Sequence, residues 1–150
     1  MVRAGVFSCL LSLPKKLSGI IERKMMAWIA VGVGAACGAW LRWILGNLLN
    51  AVHGYIPLGT LTANLAGGYL IGVATAFFSS HAGISPEWRL LIVTGFMGGL
   101  TTFSTFSSET MLLLQRGEYL WAGAQLMLHV VGSVLLCLAG FASYRVLAGA

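Results

Sequence analysis

The sequence predicts an all-α integral membrane protein with four transmembrane helices, the third of them broken. Composition is the first reason: the 150 residues are 58% hydrophobic and only 9% charged. A soluble domain carries about 25% charged residues, so a soluble fold of this size could not cover its surface. The second reason is the presence of four long apolar segments, and the third is a glycine-rich run inside one of them. The length indicates one domain.

The four apolar segments cover residues 27–49, 55–80, 90–114 and 119–144. Each exceeds the roughly 20 residues that a helix needs to cross the hydrocarbon core. Helices are required because backbone polar groups must satisfy one another in lipid. The connections between segments are short, so any function has to be built inside the membrane, and four spans place both termini on one side.

Residues 1–25 differ from the rest of the chain. They hold five of the nine cationic residues and an apolar patch at 6–13 that is too short to span a membrane. A methionine pair, Met25 and Met26, directly precedes the first span. We therefore expect residues 1–25 to be an N-terminal extension, either a non-native start or a disordered tail, and residues 26–150 to be the membrane domain.

The net charge of +5 does not predict a nucleic-acid partner, because no basic stripe is interleaved with aromatics. Counted from Met26, Arg89 and Arg145 lie towards the side of the termini, and Arg42 and Arg116 lie towards the other. The asymmetry of Lys and Arg sets the orientation of a membrane protein. A balanced count therefore predicts insertion in both orientations.

Small residues at spacing four predict close contacts between helices. Three pairs have this spacing: Gly34 and Gly38, Gly68 and Gly72, Gly95 and Gly99. Such a small bundle has little interior of its own, which favours an oligomer.

The glycine-rich run at 95–109 predicts the break in the third span. Gly costs about 1 kcal/mol relative to Ala in a helix interior, and here Gly95, Gly98 and Gly99 precede two threonines. A break in mid-membrane frees carbonyls that protein, an ion or water must satisfy. Carbonyl and threonine oxygens suit a hard cation. The alternative is a glycine face used only for packing.

Two features follow the break. Phe103 and Phe106 share a helix face, and their ring edges carry partial positive charge that can face an anion; the alternative is lipid-facing or core phenylalanines. Thr101, Thr105 and Glu109 follow one helical row at spacing four. An ionisable residue within a span is a functional candidate by default, although Glu109 can also cap a polar face near the interface.

The other spans add polar candidates. Asn64 in the second span needs a partner for its amide, either an anion or another helix. In the fourth span His129 and Ser133 form a second polar row, and a lone histidine there is more often an interhelical hydrogen-bonding residue than a ligand. Arg42, between Trp40 and Trp43, is either an interfacial anchor or part of an anion-attracting vestibule.

At these residues the chain resembles the CrcB/Fluc family of fluoride channels. The motifs are Gly-Ala-Trp-Leu-Arg at 38–42, Gly-Thr-Leu-Thr-Ala-Asn at 59–64 and Gly-Gly-Leu-Thr-Thr-Phe-Ser-Thr-Phe at 98–106. The resemblance covers about residues 26–147. It implies an antiparallel, dual-topology homodimer in a bacterial plasma (inner) membrane, with two pores through which fluoride leaves the cytoplasm passively.

The resemblance also implies roles for individual residues. It assigns the backbone carbonyls of Gly98 and Thr101 to a structural Na⁺ that both subunits share and that is not transported. The residues assigned to the fluoride pore are Asn64, Phe103, Phe106, Thr60, Thr105, Glu109 and Ser133. The extension at 1–25 is not part of the family core. Cys137 lies one turn beyond Ser133, at a position where the row of polar pore residues would continue.

Other classes of function fit less well. A small dual-topology drug/proton exchanger has the same length and span count, but it depends on a carboxylate in its first span, and residues 27–49 contain none. A non-transporting membrane scaffold would not need the glycine break. No Ser/His/Asp set, phosphate-binding loop or acid pair within one span predicts an enzyme.

Overall fold

The computed structural model describes residues 15–149, and all of its regular structure in this range is helical. The elements are α1 (Lys15–Leu49), α2 (Leu58–Ser80), α3 (Pro86–Arg89), a π-helical segment (Leu90–Met97), α4 (Gly98–Leu100), α5 (Phe103–Gln115) and α6 (Tyr119–Ala148). Within residues 15–149, four stretches are long and apolar enough to cross a membrane: Gly19–Leu49, Leu58–Ser80, Pro86–Gln115 and Tyr119–Ala148. The prediction of a four-span, all-α, multi-pass membrane protein is confirmed.

Helix α1 extends further towards the N-terminus than the apolar pattern indicates. It begins at Lys15, so residues 15–25 continue the helix of the first span without interruption. Residues 1–14 of the predicted extension lie outside the described residues. The boundary at residue 26 and the origin of the extension stay predictions.

The helices pack as two pairs, α1 with the first half of the third span and α2 with α6. Glycines lie at both contacts. A Cβ on Gly38 would collide with the carbonyl of Phe96, and one on Gly99 with the carbonyl of Ala35. A Cβ on Gly72 would collide with the carbonyl of Cys137. The predicted glycine faces therefore bring backbones together, as small residues do in membrane helix packing.

Many large apolar side chains are exposed on the outside of the helical bundle. Trp28 is 80% exposed and Leu147 is 87% exposed. The buried positions, in contrast, include the polar residues Gln125 and His129, which are 0% and 4% exposed. An apolar exterior, with polar side chains buried among apolar ones inside, requires lipid, or another apolar chain, as its surroundings.

The third span is broken as predicted, and the break falls on the two threonines. Helix α4 ends at Leu100, Thr101 and Thr102 have extended backbones (φ −81°, ψ 152° and φ −149°, ψ 115°), and α5 begins at Phe103. Gly98 itself keeps helical angles (φ −63°, ψ −34°). The expectation that Thr101 shares a helical row with Thr105 and Glu109 was wrong, because Thr101 lies in the break.

Candidate functional site

The break is bridged by Asn64 of α2. Its Oδ1 accepts the backbone N–H of Thr102 at 2.7 Å, and its Nδ2 donates to the Thr102 carbonyl at 3.0 Å. The side-chain amide thus bonds both backbone groups of Thr102, as a neighbouring peptide would. Such pairing is needed because an unsatisfied backbone group in the membrane interior costs several kcal/mol.

Arg42 of α1 satisfies another carbonyl of the broken helix. Its Nε donates to the carbonyl of Gly99 at 3.0 Å. Two residues earlier, the carbonyl of Met97 accepts both the backbone N–H of Thr101 at 3.0 Å and its hydroxyl at 2.9 Å. Arg42 therefore contacts the break itself, which neither of the two sequence interpretations, anchor or vestibule, anticipated.

Three carbonyls at the break have no hydrogen-bond donor within residues 15–149: those of Gly98, Leu100 and Thr101. The N–H of Thr102, which would bond Gly98 in a continuous helix, is taken by Asn64. The N–H of Thr105, which would bond Thr101, donates instead to the Thr102 hydroxyl at 3.2 Å. Two of the three are the carbonyls that the resemblance assigns to Na⁺.

These carbonyls fit the chemistry of a hard, monovalent cation. Neutral oxygens suit such an ion, and no cluster of three or more His, Cys, Asp or Glu that could hold another metal occurs among the described residues. A Cβ built on Gly98 would meet nothing within 4 Å. The absence of a side chain at Gly98 therefore leaves its backbone open to approach from outside the chain.

An open cleft of about 540 Å³ adjoins the break. Asn64, Phe103, Phe106 and Ser133, all predicted pore residues, line it together with Gly98 and Thr101 of the predicted cation site, and His129 is a further member. No Lys, Arg, Asp or Glu belongs to this lining. Within residues 15–149, nothing bonds the Ser133 hydroxyl, so that donor can serve a ligand.

The two phenylalanines occupy different environments. Phe106 is only 4% exposed, whereas Phe103 is 77% exposed. Their ring centroids lie 5.6 Å apart with an angle of 63° between the planes, an edge-to-face arrangement. Phe106 also stacks on His129, with centroids 4.5 Å apart and an interplanar angle of 25°.

The hydrogen bonds assign the tautomer of His129. Because Asn64 Oδ1 accepts from Thr102, its other amide atom, Nδ2, is the donor in the 3.0 Å contact with His129 Nδ1. Nδ1 is then an acceptor, and the proton of the neutral ring lies on Nε2. This Nε2–H is buried and has no partner among the described residues. The interhelical hydrogen bond expected of His129 is confirmed.

A second, smaller crevice of about 230 Å³ shares Thr102 with the cleft. Arg42, Thr60 and Thr105 line it, and Thr102 lines both spaces. The Thr60 hydroxyl donates to Glu109 Oε1 at 2.6 Å, and Gln125 Nε2 donates to Glu109 Oε2 at 3.3 Å. The predicted residues are thus divided between two neighbouring spaces, with Glu109 attached to the smaller one through Thr60.

Three residues that the sequence interpretation did not select belong to this site: Thr102, Gln125 and Asn50. Asn50 Oδ1 accepts the N–H groups that begin α2, those of Gly59 at 2.8 Å and Thr60 at 3.2 Å. Gln125 had a visible signal, because it precedes His129 and Ser133 at the same spacing of four. Asn50 had none, since it lies beyond the end of α1.

Comparison with known proteins gives a consistent result. Residues 29–141 match the family described as CrcB-like protein, Camphor Resistance (CrcB). The chain is 59% identical over 123 residues to the fluoride-specific ion channel FluC of Cupriavidus necator, covering 82% of this chain and 98% of that protein. It is 57% identical over 121 residues to the protein of that name from Pseudomonas putida, covering 81% and 95% of the two chains. It is also 57% identical over 120 residues to the protein of that name from Ralstonia pickettii, covering 80% of this chain and 95% of that protein.

Proposed function

The chain belongs to the CrcB family, and from this premise we propose that it is a fluoride channel that lowers cytoplasmic fluoride by passive export. The relatives named above are fluoride-specific ion channels. The observation that carries the proposal is the cleft beside the break. Its lining includes the unpartnered hydroxyl of Ser133, the rings of Phe103 and Phe106, and His129, whose buried Nε2–H lacks a partner among the described residues, and it contains no formally charged Lys, Arg, Asp or Glu.

This combination suits fluoride because the ion is small and holds its water strongly. A pore has to replace strong hydrogen bonds with donors of its own, yet it must release the ion again. The Ser133 hydroxyl, the Nε2–H of His129 and the edges of Phe103 and Phe106 supply partial positive charge. A lysine in the cleft would bind the anion more firmly and slow its exit.

Asn64 has a different part in this scheme from Ser133. Its two amide hydrogens already serve the Thr102 carbonyl and His129. Fluoride can therefore bond to Asn64 only by displacing one of these acceptors. We infer that Asn64 mainly holds the break open and fixes the donor tautomer of His129, and that it contacts the anion transiently.

Thr60, Thr105 and Glu109 extend the polar path beyond Thr102. The Thr102 hydroxyl donates to the Thr105 hydroxyl at 2.9 Å, while the Thr60 hydroxyl donates to Glu109. A hydroxyl can rotate between acceptors at little cost. We propose that these threonines turn from their partners towards a passing anion and that Thr60 afterwards returns to Glu109 and Thr105 to Thr102, with Arg42 attracting anions to the entrance.

The structural Na⁺ and the dimer belong to the same proposal. Two antiparallel copies, inserted in opposite orientations in a bacterial inner membrane, would bring two sets of Gly98 and Thr101 carbonyls together. Those carbonyls lack donors within the described part of one chain, and Gly98 is open on its outer side. Bound there, Na⁺ would supply positive potential beside both pores without being transported.

Fluoride efflux from liposomes containing the purified protein tests the proposal. Fluoride is expected to leave far faster than chloride or an organic cation. Ser133→Ala should slow fluoride efflux, whereas Ser79→Ala should not, because the Ser79 hydroxyl only bonds the Thr75 carbonyl of its own helix. Equal efflux of fluoride and chloride, or efflux of the organic cation alone, would contradict the proposed function.

A further inference from the structure

A further groove lies away from the break, between α1 and the start of the third span. It has a volume of about 770 Å³. One end is apolar, with Ile29, Val33 and Leu91 among its lining residues, and the other end carries Glu22, Arg23 and Glu87. Ile29 is 51% exposed and Val33 is 53% exposed, so the apolar end is not filled by the part of the chain that the structure describes.

The groove lies at the depth where hydrocarbon meets headgroups. Helix α1 has 35 residues, which corresponds to about 52 Å at about 1.5 Å per residue. The hydrocarbon core is only about 30 Å thick. Because apolar sequence begins at Met25, residues 19–24 extend past the core, and Glu87 lies at the beginning of the third span. The charged end of the groove is therefore in the headgroup layer and the apolar end in the hydrocarbon.

The charges at the headgroup end have both signs. Arg23 can bond a phosphate, which is the group for which a guanidinium is best suited. Glu22 and Glu87 are acceptors for a cation, and Arg23 is close enough to Glu87 to interact with it electrostatically. A purely anionic headgroup would meet two carboxylates, whereas a zwitterionic headgroup finds a partner for each of its charges.

We propose that this groove binds a zwitterionic phospholipid with a primary ammonium group, of the phosphatidylethanolamine type. The phosphate lies on Arg23, the ammonium donates to Glu22 and Glu87, and the acyl chains follow Ile29, Val33 and Leu91. A primary ammonium has three N–H donors, whereas a choline group has none, so the carboxylates distinguish the two headgroups.

Native mass spectrometry of the full-length protein in detergent tests this site, with phosphatidylethanolamine, phosphatidylcholine and phosphatidylglycerol of identical acyl chains as probes. Phosphatidylethanolamine is expected to bind about tenfold more tightly than the other two, because it alone forms charge-assisted hydrogen bonds to the carboxylates. The double variant Glu22→Gln, Glu87→Gln should reduce its affinity to that of phosphatidylcholine. Arg23→Gln should weaken both zwitterionic lipids.

The double variant Arg116→Gln, Glu118→Gln in the loop before α6 is the matched control and should leave the preference unchanged. Equal binding of all three lipids, tighter binding of phosphatidylglycerol, or a preference that survives the Glu22 and Glu87 changes would overturn the proposal. So would crosslinking that places a second copy of the chain in the groove. Because the readout is bound lipid mass, the result is independent of whether the protein conducts fluoride.

Discussion

Asn64 pairs with both backbone groups of Thr102 across 38 positions of sequence, accepting its N–H at 2.7 Å and donating to its carbonyl at 3.0 Å. These two hydrogen bonds offset the free-energy cost of leaving the backbone groups of Thr102 without helical partners in mid-membrane. A continuous helix would have satisfied the same two groups, and in doing so it would have covered the carbonyls of Gly98 and Thr101. The Asn64 amide therefore stabilises the open conformation of the third span.

Asn64→Asp should abolish fluoride flux while the protein stays folded. The carboxylate can still accept from Thr102, but the Thr102 carbonyl and His129 lose their donor, and a negative charge enters the cleft. Each of these two buried acceptors costs about 1–3 kcal/mol when it is left unsatisfied, a loss that a folded bundle can tolerate. Liposome efflux and size-exclusion chromatography measure the two effects. Gln115→Glu adds the same charge at the exposed end of α5 and should leave flux intact. Wild-type flux in a folded Asn64→Asp protein would remove Asn64 from the pore.

The spans could be predicted from the sequence because hydrophobic runs of this length have one stable placement in lipid. The break could be predicted from Gly95, Gly98 and Gly99, although these glycines are helical and the extended residues are the threonines that follow. Gly95 and Gly99 permit the contact with α1, and only Gly98 is open. Local composition indicates a weak helix, but it does not show which residues adopt a non-helical backbone conformation.

The partners of the polar residues could not be predicted, since they depend on how the helices pack. Arg42 reaches a carbonyl 57 positions away, and Thr60 reaches Glu109 across 49 positions. The π-helical segment before the break also had no signal in the apolar pattern, because Leu90–Met97 carries no charge and Thr94 is its one polar side chain. The sequence thus indicated which residue types form the site and in which spans they lie. The hydrogen bonds between them depend on how the helices pack.

Arg42→Gln should destabilise the fold as well as reduce flux. It removes the charge-assisted hydrogen bond to the Gly99 carbonyl, with an expected loss of about 1.5–3 kcal/mol. Arg42→Lys keeps the positive charge but lacks the Nε–H, so it should lose stability too while retaining more of the attraction for anions. Thermal unfolding and efflux separate the two contributions. Arg116→Gln, in the loop before α6, is the control. If both Arg42 variants unfolded like the wild type, Arg42 would act only as a vestibule charge.

His129→Phe tests the donor that the hydrogen-bond network assigns. Phenylalanine preserves an aromatic ring against Phe106 but has neither the acceptor for Asn64 nor the buried Nε2–H. Flux should fall, and His129→Gln, which restores an N–H donor, should recover part of it. A His129→Phe protein with unchanged fluoride flux would show that the unpartnered Nε2–H does not face the anion.

The balance of Arg residues predicts insertion in both orientations for a chain that begins at Met26. Arg89 and Arg145 then oppose Arg42 and Arg116, and Lys/Arg asymmetry is what sets orientation. Two lysines added at either end should bias insertion and reduce activity. Labelling of a cysteine placed in the Arg116 loop, with Arg116 itself kept and in a background without Cys37 and Cys137, reports the orientation from each side of the membrane. Labelling from one side only would contradict antiparallel assembly.

Replacing Na⁺ by a bulky organic cation should weaken the dimer or stop flux. The reason lies in the carbonyls of Gly98 and Thr101, whose helical donors are taken by Asn64 and the Thr102 hydroxyl. Each unsatisfied group in hydrocarbon costs several kcal/mol, and two antiparallel copies would bring four of them together. A monovalent hard cation satisfies all four without the added charge of Ca²⁺.

The glycine pair at this position supplies the matched variants. Gly98→Val should reproduce the loss seen without Na⁺ and leave the single chain folded, because a Cβ at Gly98 meets nothing within 4 Å in the chain. Gly99→Val should instead disrupt the fold, because its Cβ would collide with the carbonyl of Ala35 on α1. Dimer strength in Na⁺ and in the organic cation, measured with efflux on the same preparations, distinguishes these effects. If dimer strength and flux were the same in both cations, and Gly98→Val behaved like the wild type, the open carbonyls would hold no ion and the glycines would serve packing alone.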